Sequence, residues 1–282
     1  MSARQPACAG EDAPDADLAA TYDLYFASRH YEHRYPVPNP ATLAFLREQG
    51  LDHARSLLDL GCGNGRYALA LLGPGCASLT GCDPSQGALA QFRLHLQGHP
   101  LGAQVRLVHG GVEALAPGDR FDVFLMLFGV LGLIGDRACR VRVLRALRAH
   151  CLPGARLALT VPNAWRRFPG ARVRAWWESL RHAGSALGVG DVRIWRHFGG
   201  KAHAFRYHLF VPAGLREELA EAGWRLVLLE AEGVFPESLV CRWPWLAAID
   251  RYLRRITPAP LGYGMRALAV PTQEPSATHH ES

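Results

Sequence analysis

Ser56-Leu57-Leu58-Asp59-Leu60-Gly61-Cys62-Gly63-Asn64-Gly65-Arg66-Tyr67 runs from a short apolar strand pattern into a turn with glycine at every second position, then into a helical pattern that continues to about Leu72. In an open α/β sheet the turn after the first strand passes close to whatever binds beyond the strand ends. Gly61, Gly63 and Gly65 remove the side chains that would block such an approach and allow a tight turn. The spacing is GxGxG, whereas a dinucleotide-binding turn more usually reads GxGxxG. Alone, this pattern also fits a plain structural turn. A second strand pattern, Ser78 to Cys82, ends at Asp83, eighteen residues after Gly65, where a carboxylate can accept hydrogen bonds from both hydroxyls of a ribose.

Working outward, Ser85 is positioned to cap a helix reaching about Leu96. Val105 to His109 and Phe121 to Leu127 read as strands, Arg137 to about His150 as a helix, and Arg156 to Val161 as a fifth strand after Pro153-Gly154. Further on, Ala213 to Ala222 reads as a helix, with strands at Arg225 to Glu230 and Tyr263 to Val270. This alternation predicts an α/β fold: a doubly wound, mostly parallel seven-stranded sheet with helices on both faces and a helical or irregular insertion after the fifth strand. The expected divisions are a disordered N-terminus (1–17), an N-terminal helical lid (18–55), a ligand-binding core (56–162), a substrate-cap insertion (163–210), the C-terminal part of the same domain (211–270) and a disordered tail (271–282).

The stretches LLDLGCGNGRY, GCDPS, FDVFLMLFGVLGLI and LPGARLALTVPN together resemble the class I, Rossmann-like S-adenosylmethionine-dependent methyltransferases over roughly residues 20 to 162, and the elements after 213 fit that family's ending. The resemblance implies that Asp59, Gly61, Cys62 and Gly63 face the methionine and ribose parts of S-adenosylmethionine. It also implies that Asp83, with Pro84 beside it, holds the ribose hydroxyls, and that S-adenosylhomocysteine is the product. Where the family commonly has an acid followed by Ala after the third strand, this chain reads His109-Gly110-Gly111-Val112-Glu113. The expected adenine contacts there are the Val112 amide and the Glu113 side chain. Phe128 and Gly129 fall where the family places the methyl-donating sulfur and the acceptor. By the same resemblance, the tyrosine-rich segment before Pro36 supplies a lid, with Tyr25 or Tyr31 closing the pocket and Arg34 facing the methionine carboxylate through two parallel bonds. The alternative for these tyrosines is simple packing on the sheet.

A sulfonium already activates its methyl group, so transfer requires a nucleophile held in line and water excluded, with a base only when the acceptor arrives protonated. The candidate bases are His208, Tyr207 and His197, with His109 and His203 behind them. Acceptor recognition is expected in 163–210, where Trp165, Trp176, Trp177 and Trp195 alternate with basic residues. Eight Arg plus Lys201 against Glu178 and Asp191 give this stretch a net charge of +7, more than the +6 of the whole chain. It suits a small acceptor carrying a carboxylate or phosphate, or a nucleic acid, or else it is a helical cap with Trp core and solvated Arg. Val173, Trp176, Trp177 and Leu180 follow one helical face, as such a cap requires.

GCGNGRY, GCDPS, Arg34-Tyr35-Pro36 and Tyr207-His208-Leu209-Phe210 are also similar to the tRNA wobble-uridine methyltransferases, which makes tRNA the alternative acceptor. The leading expectation is methylation of an O, N or S atom of a small molecule. A non-catalytic cofactor-binding protein is a third reading and a nicotinamide-dependent oxidoreductase a distant fourth, disfavoured by the glycine spacing.

Thirty of the thirty-one basic residues are Arg, a bias that accompanies abundant Ala and Gly and says little about partners. The seven cysteines form no CxxC pair, so reduced thiols and no metal site are expected, and the absence of a signal or membrane-spanning pattern points to the cytoplasm. Trp243 to Ile256 places Trp245, Ile249, Tyr252, Leu253 and Ile256 on one helical face, expected to pack beneath the last strand, with a membrane surface or a dimer contact as alternatives.

Overall fold

The segment Leu57–Leu60 forms β1, and its alternate side chains enter different cores: Leu58 and Leu60 pack with Phe124, Leu144, Leu157 and Trp224, whereas Leu57 packs with Phe45, Phe92, Val123 and Leu125. A strand buried on both faces must read as a continuous apolar run, which is the pattern of the sequence there. The computed structural model describes residues 16–73, 75–167 and 190–272. The expectations of disorder at the two ends, and of a helical face through Val173, Trp176, Trp177 and Leu180 with Arg172 and Arg174 nearby, concern residues outside the described ones wholly or in large part.

In chain order the N-terminal elements are α1 (Ala16–Ala27), α2 (His30–Arg34) and α3 (Pro40–Glu48), followed by β1. The alternating core continues with α4 (Arg66–Leu71), β2 (Leu79–Asp83), α5 (Gln86–Leu96), β3 (Val105–His109), β4 (Phe121–Met126), α6 (Arg137–Arg148) and β5 (Cys151–Pro162). After α7 (Ala164–Arg167) come β6 (Asp191–Phe198), β7 (Lys201–His208), α8 (Pro212–Glu221), β8 (Trp224–Gly233), α9 (Glu237–Val240), α10 (Pro244–Leu253) and β9 (Gly264–Pro271). Side chains close the exposed amides at three helix starts: Ser85 accepts from the Ala88 N–H at 3.0 Å, Asn39 from Ala41 at 2.9 Å and Asp136 from Cys139 at 2.8 Å.

The main sheet has seven strands in the order β3-β2-β1-β4-β5-β9-β8. The first five are parallel, and β9 runs antiparallel between β5 and β8. This is the doubly wound, mostly parallel sheet expected from the alternating pattern. The chain reverses its direction of winding between β1 and β4, so the ends of β1, β2 and β4 frame the crevice in which such sheets bind ligands.

Two features differ from the sequence reading. The described half of the insertion is a β-hairpin, β6 paired with β7, rather than helical or irregular chain. Gly199 and Gly200 form its turn, with φ of 58° and 74°, the left-handed pair that suits the twist of a two-residue hairpin loop. The second difference is α10: it buries Leu246 and Asp250, and leaves Trp245, Ile249, Tyr252 and Ile256 on the surface. Its apolar stripe does not pack beneath the last strand. The inner side is fixed by polar contacts instead, with Asp250 Oδ1 accepting the Val234 and Phe235 amides at 2.7 and 3.0 Å and the buried Arg254 placed 3.3 Å from Glu230. No helix among the described residues is long and apolar enough to cross a membrane.

Candidate cofactor and acceptor site

Gly61 and Gly65 take φ of +75° and +80°, a region that side-chain-bearing residues avoid. Space imposes glycine as well, since a Cβ on Gly61 would strike the Val130 side chain and one on Gly65 the Phe92 ring. The Gly61 and Cys62 amides donate to the Cys82 carbonyl at 2.8 and 3.0 Å, tying the turn to the end of β2. Asp83 completes the tie: its Oδ2 accepts from the Gly63 N–H at 2.8 Å and its Oδ1 from the Ser85 N–H at 2.9 Å. The two sequence features therefore meet as one clasp.

Burial pushes the Asp83 carboxyl up to about 6 despite these two amide donors. Burial, reinforced by the Asp83 charge, pushes Asp59 up to about 7. Burial, reinforced by the Asp83 charge, raises the Cys62 thiol as well, which disfavours its thiolate.

After β3, Val112 is buried and Glu113 folds back so that its Oε1 accepts the Gly111 N–H at 2.8 Å. A Cβ on Gly111 would sit 2.6 Å from Glu113 Oε2. The missing side chain at 111 and the carboxylate at 113 therefore share one space. His109 lies at the rim, with Nε2 2.9 Å from the Pro84 carbonyl.

The N-terminal helices cover this loop. Asp23 on α1 accepts from Ser85 Oγ at 2.6 Å and from the Gly87 N–H at 2.8 Å, and Gln91 on α5 donates to the Phe26 carbonyl at 2.6 Å. Phe26 lies over Gly63, close enough that a Cβ there would be 3.3 Å from its ring. Tyr25, Phe26, Tyr31 and Tyr35 bury their rings against one another and against Phe198 and Phe205 of the hairpin.

Beside the covered loop is a cleft of about 450 Å³ whose walls include Tyr25, Arg34, Phe128, Gly129, Arg196 and Tyr207. Phe128 holds φ of 59°, uncommon for a bulky residue, and its carbonyl accepts from the Tyr207 hydroxyl at 3.1 Å. Arg34 donates through Nε to the Tyr35 hydroxyl at 3.1 Å. Arg196 reaches the Tyr25 hydroxyl at 2.8 Å and lies over the Tyr25 and Phe205 rings. It has no carboxylate at ion-pair distance among the described residues.

Of the candidate bases, Tyr207 enters the cleft, and His197 is an exposed residue at its border. His208 projects from the opposite face of the hairpin, where its Nδ1 is 2.6 Å from Asp191 Oδ1 and Arg206 holds the other oxygen at 2.7 Å. Burial raises the Asp191 carboxyl, but these two partners outweigh it and hold it below the usual range. His203 stacks on Phe198 with ring centroids 4.1 Å apart.

Three participants escaped the sequence reading. Arg66, next after the glycine loop, lies 4.7 to 5.6 Å over the rings of Tyr67, Phe128, Tyr35 and Tyr31 and pairs with Glu237 at 2.9 Å. Asp23 and Arg196 are the others. A hairpin signal, Gly199-Gly200 between two alternating runs, was present in the sequence and could have placed Arg196 and Tyr207 on a common face.

Residues 57–154 match the family model described as a methyltransferase domain. A tRNA U34 carboxymethyltransferase of Shewanella sp. (strain ANA-3) is 35% identical over 109 residues, a match spanning 37% of this chain and 31% of that relative. Among solved structures, the CcbJ methyltransferase of Streptomyces caelestis superposes with a TM-score of 0.57 at 20% identity, over 84% of this chain and 91% of the other. The 1,6-didemethyltoxoflavin-N1-methyltransferase of Burkholderia thailandensis, with 1,6-didemethyltoxoflavin and S-adenosylhomocysteine bound, superposes with a TM-score of 0.58 at 18% identity, over 95% and 94%. The fold is therefore one shared with methyltransferases.

Proposed function

We propose that the chain is an S-adenosylmethionine-dependent methyltransferase that methylates an O, N or S atom of a small, anionic acceptor. The observation that carries the reading is the clasp of Gly63 and Asp83 under α1: a side-chain-free turn closed by a carboxylate at the end of the neighbouring strand. The donor set fits an adenosyl group. Asp83 retains acceptor capacity for ribose hydroxyls after its two amide bonds. Asp59, Gly61 and Cys62 surround the turn, Pro84 follows Asp83, and the Val112 amide with Glu113 serves the adenine edge. Arg34 and the tyrosines of α1 and α2 serve the methionine end. When bound, the sulfonium supplies an activated methyl group.

The protein's own contribution is placement. Phe128 and Gly129 separate the covered loop from the cleft, the aromatic walls exclude water, and Tyr207 stands beside the acceptor position. With S-adenosylmethionine bound, the cleft walls would hold the acceptor's lone pair in line with the methyl group that the sulfonium would supply. The proton of a protonated acceptor passes to water. Arg196, a half-buried cation with no carboxylate at ion-pair distance among the described residues, fits an acceptor carboxylate or phosphate. The six described free cysteines suit the cytoplasm, where thiols stay reduced.

A second reading, tRNA, is favoured by the partial match to the Shewanella relative. The cleft of about 450 Å³ has room for a small molecule or for a single extruded base. Transfer of a tritiated methyl group from S-adenosylmethionine decides between them: label in low-molecular-weight extract supports the first reading, label in bulk tRNA the second, and label in neither contradicts both.

A further inference from the structure

The helix α10 is built with its polarity reversed. Asp250 and Arg254 are buried on the protein side, while Trp245, Ile249 and Tyr252, continuing to Ile256 in the following turn, are 61%, 44%, 67% and 70% exposed. Their spacing of four, three and four residues sets them in one stripe. Trp243, at the helix start, is also 49% exposed. Among the described residues nothing covers this stripe, and a continuous row of four large apolar side chains marks an interaction surface rather than scattered surface residues.

Charge decides the kind of partner. Between Ser238 and Tyr263 the only acid is Asp250, which is fully buried. The exposed cations are Arg242, Arg251 and Arg255, none of which forms an ion pair or side-chain hydrogen bond among the described residues. Arg251 and Arg255 lie along one flank of the stripe by helical spacing. The acids of the packed elements, Glu230 of β8 at 3.3 Å and Glu48 of α3 at 4.0 Å, both face Arg254. Pairing two copies through this stripe would bring arginines toward arginines without a compensating carboxylate. An anionic bilayer surface meets every feature: indole and phenol rings suit the headgroup boundary, Ile249 and Ile256 the acyl region, and guanidinium groups the lipid phosphates.

We propose that α10 docks the protein on an anionic membrane surface, lying in the plane of the interface with Trp245, Ile249, Tyr252 and Ile256 inserted. The contact is peripheral, through one short helix, and is independent of the reaction carried out in the cleft.

The test is flotation of the full chain with vesicles of phosphatidylcholine alone and of equal parts phosphatidylcholine and phosphatidylglycerol. Binding to the anionic vesicles is expected to exceed that to the neutral ones by about tenfold or more and to weaken at raised salt. The triple variant Trp245→Ser/Ile249→Ser/Tyr252→Ser and the double variant Arg251→Gln/Arg255→Gln each lose about tenfold or more, with S-adenosylhomocysteine affinity and circular dichroism unchanged. Failure of the wild-type chain to float with anionic vesicles overturns the proposal, as does equal flotation of the triple variant. A dimer in sedimentation velocity that the triple variant dissolves assigns the stripe to a second copy and overturns it too.

Discussion

The Glu113 carboxylate accepts the Gly111 N–H at 2.8 Å and fills the space that a side chain at position 111 would need. The acid lacking at 111 in the sequence is thus replaced in space by one two residues later. Glu113→Ala is expected to weaken S-adenosylhomocysteine binding by about tenfold, the scale of one hydrogen bond to a charged group. Gly111→Asp alone would set two carboxylates together and also weaken binding, while Gly111→Asp/Glu113→Ala restores it toward wild type. Calorimetry on the three variants checks this, and additive losses in the double variant would contradict it.

On the proposed assignment Asp83 accepts from two ribose hydroxyls as a carboxylate, and burial pushes its carboxyl up to about 6. Affinity for S-adenosylhomocysteine should therefore rise with pH through about 6 and then level off. Asp83→Asn is expected to flatten this dependence and lower affinity by ~100-fold at pH 8, in line with loss of charge-assisted bonds. A wild-type affinity independent of pH between 5 and 8 would contradict the ribose assignment.

Asp59 carries the opposite consequence for stability. Its folded-state value of about 7 lies above the usual 3.8, so between those values the folded chain binds more protons than the unfolded one. Stability from this group therefore falls as pH rises from about 4 to about 7. Asp59→Asn should stabilise the protein at pH 8 by ~1–3 kcal/mol and leave it little changed at pH 4.5, as read from urea midpoints. Equal effects at both pH values would show that the carboxyl is not raised.

Gly65→Ala meets two obstacles, a φ of +80° and the Phe92 ring in the space of the new methyl group. A loss of ~2–4 kcal/mol in unfolding free energy is expected. Gly98→Ala is the control, since its φ of +73° is as strained but its surroundings are open. It should cost only about 1 kcal/mol. The difference between the two isolates the packing component.

The strand, loop and carboxylate arrangement was legible because each is local: Leu57 to Leu60 declares a buried strand, Gly61 and Gly65 a turn, and Ser85 a helix cap. The seven strands of the sheet followed from the same periodicities. Arg66 was not legible, because one position beyond a glycine turn an arginine reads as a solvated helix residue, and only tertiary pairing supplies Glu237 and four aromatic rings. The α10 stripe was recognised, but amphipathicity reports that a helix has two faces without saying which one meets the protein. Asp250 decides that, through amides of a loop sixteen residues away. Similarly, the alternation in 191–208 was overshadowed by the Trp and Arg content of the insertion, so His208 stood as a candidate base although Asp191, its cross-strand partner, holds it on the outer face.

The measurement that bears most directly on the central claim is calorimetric titration of the full chain with S-adenosylmethionine, S-adenosylhomocysteine and NADH. The account predicts micromolar-range binding of both adenosyl ligands, lost in Asp83→Ala, and no binding of NADH. Absence of adenosyl binding, or an affinity that Asp83→Ala leaves intact, would contradict the assignment of the glycine loop and its carboxylate as the cofactor site.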